Sequence, residues 1–153
     1  MFEGKVISIN ITPQAEAPMQ SVEAVRAIPG RGLEGDRYFD NKGRAPAAQK
    51  ELTLIEAEAI EAFKNEMGVD YRLGDSRRNL VTRGVPLNHL VGKEFWVGEV
   101  KALGIKLCEP CVHLQKLTIK QVLPGLVHRG GLRAQILTEG TIRVGATVKE
   151  ARP

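Results

Sequence analysis

The 153-residue chain is 42% apolar and 26% charged, the balance of one soluble domain, residues 1–153, with a core of its own. Its two cysteines exclude a disulfide framework, and no apolar run approaches the roughly 20 residues of a membrane span. A net charge of +4 is a mild bias toward an anionic ligand but on its own reads as a solvated basic surface, and 5% aromatics without an interleaved basic block argue against nucleic acid.

In chain order, Glu3 and Lys5 break the apolar start, so it is not a signal peptide. A cytoplasmic location follows as the expectation, with thiols free, metal-bound or catalytic. Lys5–Thr12 and Ser21–Ile28 alternate apolar and polar residues and predict strands. Pro29–Phe39, with three glycines, predicts tight turns, and Asn41–Lys50, without an apolar face, predicts a mobile connection. Glu51–Ile55 is a short strand running into a helix over Glu56–Met67, which Gly68 stops. Ala59, Ile60, Phe63 and Met67 form its buried face.

Arg77–Gly84 predicts a strand with a basic start, and Lys93–Cys108 predicts two strands turning at Gly98. Pro110 lacks an N–H and ends the ladder. Val112–Val122 predicts a short helix. Gly131–Glu150 predicts a hairpin through Glu139–Gly140 and a last turn at Gly145. Many short strands with one or two short helices predict a mainly β, closed barrel.

Cys108 and Cys111, with His113 just beyond, are open to several readings. Structural zinc needs a second ligand pair, and only His128 and His89 remain. A redox pair normally sits in a βαβ setting, which this chain lacks. Cys108, at a strand end, reads as a buried hydrophobe. Cys111 follows a proline and precedes a helix start, where backbone N–H groups and cations favour the thiolate. Arginines beside glycines or at strand starts, among them Arg31, Arg77, Arg83 and Arg129, suit an anion shared with backbone amides.

The ordered series GLEGDRY (Gly32–Tyr38), LTLIEAEAIEAF (Leu52–Phe63), RRNLVTRG (Arg77–Gly84), LNHLVGKEFWVGEV (Leu87–Val100), LCEPCVHL (Leu107–Leu114), RGGLRAQIL (Arg129–Leu137) and GTIRVGATV (Gly140–Val148) resembles the MOSC domain. That family is named for the C-terminal domain of molybdenum cofactor sulfurases. The resemblance implies a barrel similar to the pyruvate kinase barrel domain. It implies binding of the molybdenum cofactor, a phosphorylated pyranopterin dithiolene, and reduction of small N-hydroxylated substrates. The family cysteine corresponds to Cys111, which the resemblance makes both catalytic residue and metal ligand. The Arg-x-Asn motif corresponds to Arg77 and Asn79, with Thr82 beyond. A dithiolene brings two sulfurs, so one protein thiolate suffices.

Within that resemblance, Arg77 is the first choice for the phosphate, with Arg31 and Arg129 behind it. Asn79 and Thr82 are expected at the pterin or the metal oxo groups. Arg78 is expected to face away and serve as a neutral control. Asp36 is expected to brace Arg37 or its turn. Without a flavin, haem or iron–sulfur motif, electrons must come from a separate electron-donor reductase. The alternative is a carrier holding a Cys111 persulfide from a sulfur donor, without turnover. A chain of this size lacks the extra N-terminal region of the larger reductases. A homo-oligomer is therefore one way to complete the pocket.

Overall fold

The computed structural model describes residues 2–40, 51–110 and 112–152, with Val112 and His113 described in backbone alone. The connection expected over Asn41–Lys50 and the thiol of Cys111 lie outside the described residues. The strands are β1 (Glu3–Ile11), β2 (Gln20–Val22), β3 (Ala24–Ile28), β4 (Gly32–Leu33), β5 (Leu52–Glu56), β6 (Leu80–Arg83), β7 (Glu94–Val97), β8 (Val100–Leu107), β9 (Leu132–Ile136), β10 (Gly140–Arg143) and β11 (Thr147–Glu150). The helices are α1 (Ala57–Met67), α2 (Val112–Leu117) and α3 (Val122–Leu126). None of the described helices is long and apolar enough to cross a membrane.

Seven strands close a ring in the order β1, β11, β7, β8, β9, β5, β6 and back to β1, and β2 continues from β1. The molecule is thus a mainly β barrel with few short helices, as the turn pattern predicts. A small sheet of β10, β3 and β4 is not hydrogen-bonded into the ring, but its Val25, Ala27, Leu33 and Ile142 share the ring's core. Strands β5 and β6 pair in parallel, and α1 supplies the crossover that parallel neighbours require.

The sequence periods explain the two cores. The ring is filled by Leu52, Leu54, Leu80, Phe95, Val100 and Leu132 with their neighbours. Outside it, Ile55 and Val81 meet Ile60 and Phe63 of α1, Leu114 of α2, and Val122 and Leu126 of α3. β5 is therefore covered on both faces, which is why LTLI is buried throughout. In β1, Val6 and Ile9 both belong to the ring core although they are three apart. A bulge between Val6 and Ser8 in the pairing with β6 inserts the extra residue that allows it.

Three expectations change. Ser21–Ile28 is two strands, because Glu23 is a bend that hands the chain from the ring to the small sheet. The hairpin across Glu139–Gly140 does not form. β9 already has β8 and β5 on its two edges, so β10 pairs with β3 instead. The helix over Val112–Val122 ends at Leu117, and α3 follows, tolerating Pro124 because it falls in the first turn, where the missing N–H costs nothing. α1 matches its expected span to one residue, with Gly68 left-handed at φ 63° and its N–H bonded to Lys64 O at 2.9 Å.

Candidate functional site

The stretch LGDSRRNL leads into β6 and shapes the site. Leu73–Ser76 forms one 3₁₀ turn, and Arg77 then takes a left-handed conformation at φ 63° with its N–H on Gly74 O at 3.1 Å. That conformation is uncommon for a residue other than glycine and is held here by the turn. It breaks the extended run expected from Arg77 onward, so the strand proper begins at Leu80.

Arg77 borders a cavity of about 550 Å³ together with Ser8, Asn10, Ser21, Asp75 and Thr118. Its Nη1 donates to Ala17 O at 2.8 Å, and Arg37 Nη2 donates to Arg77 O at 3.3 Å. Burial, and next the Arg37 guanidinium, hold the Arg77 pKa below the usual value for arginine. Asp36 answers Arg37 at 3.2 Å and accepts the Thr12 N–H at 3.2 Å, so it braces both, as expected. A desolvated guanidinium beside a second one is a site that gains from an added anion.

Asn10 is the residue that sequence reading missed. It is 3% exposed, and its Nδ2 has no hydrogen-bond partner among the described residues. Its Oδ1 accepts Ser8 Oγ at 3.4 Å. Leaving a buried amide donor unpaired costs about 1–3 kcal/mol. Asn10 also lines the cavity, so a small turn of its side chain would let that amide meet a ligand acceptor. The available signal is the polar face of β1, Ser8 and Asn10 two residues apart in ISIN, where a barrel strand has helix or solvent on its outer side.

The other candidates are placed differently. Asn79 is buried, and its Oδ1 accepts the Thr53 N–H and Oγ1 at 3.1 Å each while Nδ2 donates to Asn10 O at 3.2 Å. Its amide ties β5 to β1 and reaches the cavity only through Asn10. Thr82 is fully buried with Oγ1 3.5 Å from Ile55 O. Arg31 is exposed, forms an ion pair with Asp40 that raises its pKa, and lies 4.6 Å over the Phe39 ring. Arg129 donates to Gly125 O at 2.8 Å and pairs with Glu66. Both of these guanidinium groups already have carboxylates. The structure therefore brings Arg77 and Asn79 to one region and leaves Arg31 and Arg129 in ion pairs of their own.

Cys108 is buried at the end of β8, with its N–H on Gly131 O at 2.7 Å, as a core thiol should be. Among the described residues, no three His, Cys, Asp or Glu side chains cluster to hold a metal ion. Arg78 does not stand idle: its guanidinium reaches Gly130 O at 2.8 Å and Cys108 O at 2.9 Å. α2 begins directly after Cys111 in sequence, and its far end brings Leu117 and Thr118 to the cavity.

The family model described as the MOSC domain matches residues 40–149. The chain belongs to the MOSC domain family. MOSC domains are known as a fold associated with the molybdenum cofactor. The barrel is similar to YuaD from Bacillus subtilis, with a TM-score of 0.81 at 14% identity and 97% of each chain covered. It is similar to YiiM from Geobacillus stearothermophilus, with a TM-score of 0.76 at 15% identity over 97% of this chain and 75% of that one. For YiiM from Escherichia coli the TM-score is 0.70 at 16% identity, over 97% of this chain and 70% of that one. At these identities the likeness is one of MOSC fold. Among curated proteins, none matches.

Proposed function

We propose that this MOSC domain binds the molybdenum cofactor at the Arg77 cavity and Cys111, and uses it to reduce small N-hydroxylated compounds. The observation that carries the reading is the orphaned amide of buried Asn10 beside the desolvated guanidinium of Arg77. The wall chemistry fits the group. Arg77 and Asn10 offer donors for a phosphate and a ring carbonyl, and Asp75 at the same cavity offers a carboxylate for the amino edge of a pterin. When bound, the cofactor supplies two-electron redox chemistry at molybdenum, with electrons from a separate reductase.

Each residue then has a task of its own. Arg77 anchors the phosphate, and the Asp36–Arg37 pair keeps it aimed by fixing its backbone carbonyl. Asn10 gains the acceptor it lacks. Asn79 holds the Asn10 backbone through both an amide and a carbonyl bond, at 3.2 and 2.7 Å. Asn79 is thus a support for the pocket. Cys111 contributes the soft thiolate that a dithiolene-bound metal accepts as a further ligand.

The test is expression in a host that makes the cofactor, followed by molybdenum and pterin analysis. About one molybdenum per chain, lost in Cys111→Ser, supports the reading. Sulfur on Cys111 without metal points instead to persulfide carriage, and neither species rejects both roles.

A further inference from the structure

The strap that joins β1 to β2 has firm ends and a lightly held middle. Ile11 pairs with Gln20, and the Thr12 N–H is held by Asp36 at 3.2 Å. Between them, residues 13–16 and Pro18 are exposed. Glu16 takes a left-handed φ of 68°, which a residue other than glycine keeps only where its surroundings impose it. Two guanidinium groups tie this stretch to the body of the protein. Arg77 Nη1 donates to Ala17 O at 2.8 Å, and Arg37 Nη1 meets Met19 Sδ at 3.6 Å. The same stretch lines the cavity with Glu16, Pro18 and Met19.

Arg77 thus meets its own chain where an anion would arrive. Burial and the Arg37 charge push its pKa down, and the Glu16 carboxylate is among the groups that oppose them. Asp36 is another, but it already answers Arg37 at 3.2 Å. Ala17 O brings the negative end of a carbonyl dipole, and Glu16 brings a full charge. Both repel a second anion while the strap stays in place. A phosphate, however, offers the guanidinium fork a full charge and two oxygens at once, which a single carbonyl cannot. We propose that residues 13–19 are the resident occupant of the anion site, a strap that holds Arg77 through Ala17 O until an oxyanion such as a phosphate displaces it. The inference rests on the reading of Arg77 as the anion anchor and not on Cys111. It makes opening of the cavity wall a consequence of anion binding.

Nuclear magnetic resonance of the isotope-labelled full chain tests it, with inorganic phosphate as the probe and sodium chloride at equal ionic strength as the control. In the same titration, the Arg77 Nε–H signal reports binding, and the amides of Glu16, Ala17 and Met19 report motion of the strap. Phosphate should shift the former and lower the order parameters of the latter by about 0.2 or more, toward the flexible range below about 0.6. Arg77→Ala should show the low values without phosphate and no response to it. Glu16→Gln, an exposed change, should bind phosphate about threefold more tightly. Phosphate that binds but leaves the strap as rigid or more so sits beside it on the other donors of Arg77; that result overturns the proposal and keeps the anchor role. Weaker binding in Glu16→Gln overturns it too, as does a response matched by sodium chloride, which is screening alone. Where Arg77→Ala fails to fold, the parent titration decides. Absence of phosphate binding overturns the proposal, and molybdenum analysis then judges the cofactor reading on its own.

Discussion

Arg77 and Arg78 are consecutive arginines with different partners, and the left-handed backbone of Arg77 turns them apart. Arg77→Ala should weaken cofactor binding about tenfold or more, because a charge-assisted bond to phosphate is worth about 1.5–3 kcal/mol. Arg31→Ala and Arg129→Ala should stay within about twofold of the parent, since Asp40 and Glu66 already hold those groups. A titration of the three variants checks the ranking. Asn10→Leu should melt no earlier than the parent, since it removes a buried orphan donor, yet lose cofactor affinity about fivefold or more. Higher affinity in that variant would sink the assignment.

Tyr71 gives a residue-scale signature in alkali. Burial raises its folded pKa to about 12 from a usual value of about 10. The unfolded chain therefore loses the phenolic proton first. The stability Tyr71 contributes is complete below pH 10 and drains away as pH rises toward 12. Tyr71→Phe, by removing the bond to Asp75 O, should lower stability by about 1 kcal/mol at neutral pH and flatten that alkaline loss. Urea titrations at several pH values measure both.

At the scale of elements, α1 and α3 depend on a missing side chain. Gly125 faces the Phe63 ring so closely that an added Cβ would fall inside it, while Phe63 also makes an edge contact with Tyr71 at 5.0 Å between centroids. Gly125→Ala should cost about 1–3 kcal/mol, read as a lower melting temperature, by forcing α3 off α1. Local pattern made α1, β1 and the β7–β8 turn at Gly98 legible, because each is set by a period or a glycine in its own segment. The pairing of β10 with β3 was not legible, since it depends on both edges of β9 being taken by distant strands. α3 was hidden by Pro124–Gly125, a pair that reads as a breaker until its place in the first turn is known. At the site, Arg77 stood out by its neighbours in sequence, whereas the orphaned amide of Asn10 exists only once β1 is packed against the 3₁₀ turn.

At the scale of the molecule, the ring is shut by β11, which pairs with β1 through Glu3–Lys5 and with β7 through Phe95–Val97. Deleting residues 147–153 should leave β1 and β7 with open edges and abolish cooperative thermal unfolding, whereas a sharp transition would show that the ring tolerates a gap. The same closure governs how the chain reaches its fold. The pairing of Glu3 with Lys149 joins the two ends of the described chain, and no local turn can bring them together. Loop closure must come before that contact rewards it, which places refolding in the slow range of milliseconds to seconds. On the ribosome the Glu3–Lys5 end of β1 must wait for β11. The part of β1 that carries Ser8 and Asn10 pairs instead with β2 and β6, so the cavity wall can form well before the ring shuts.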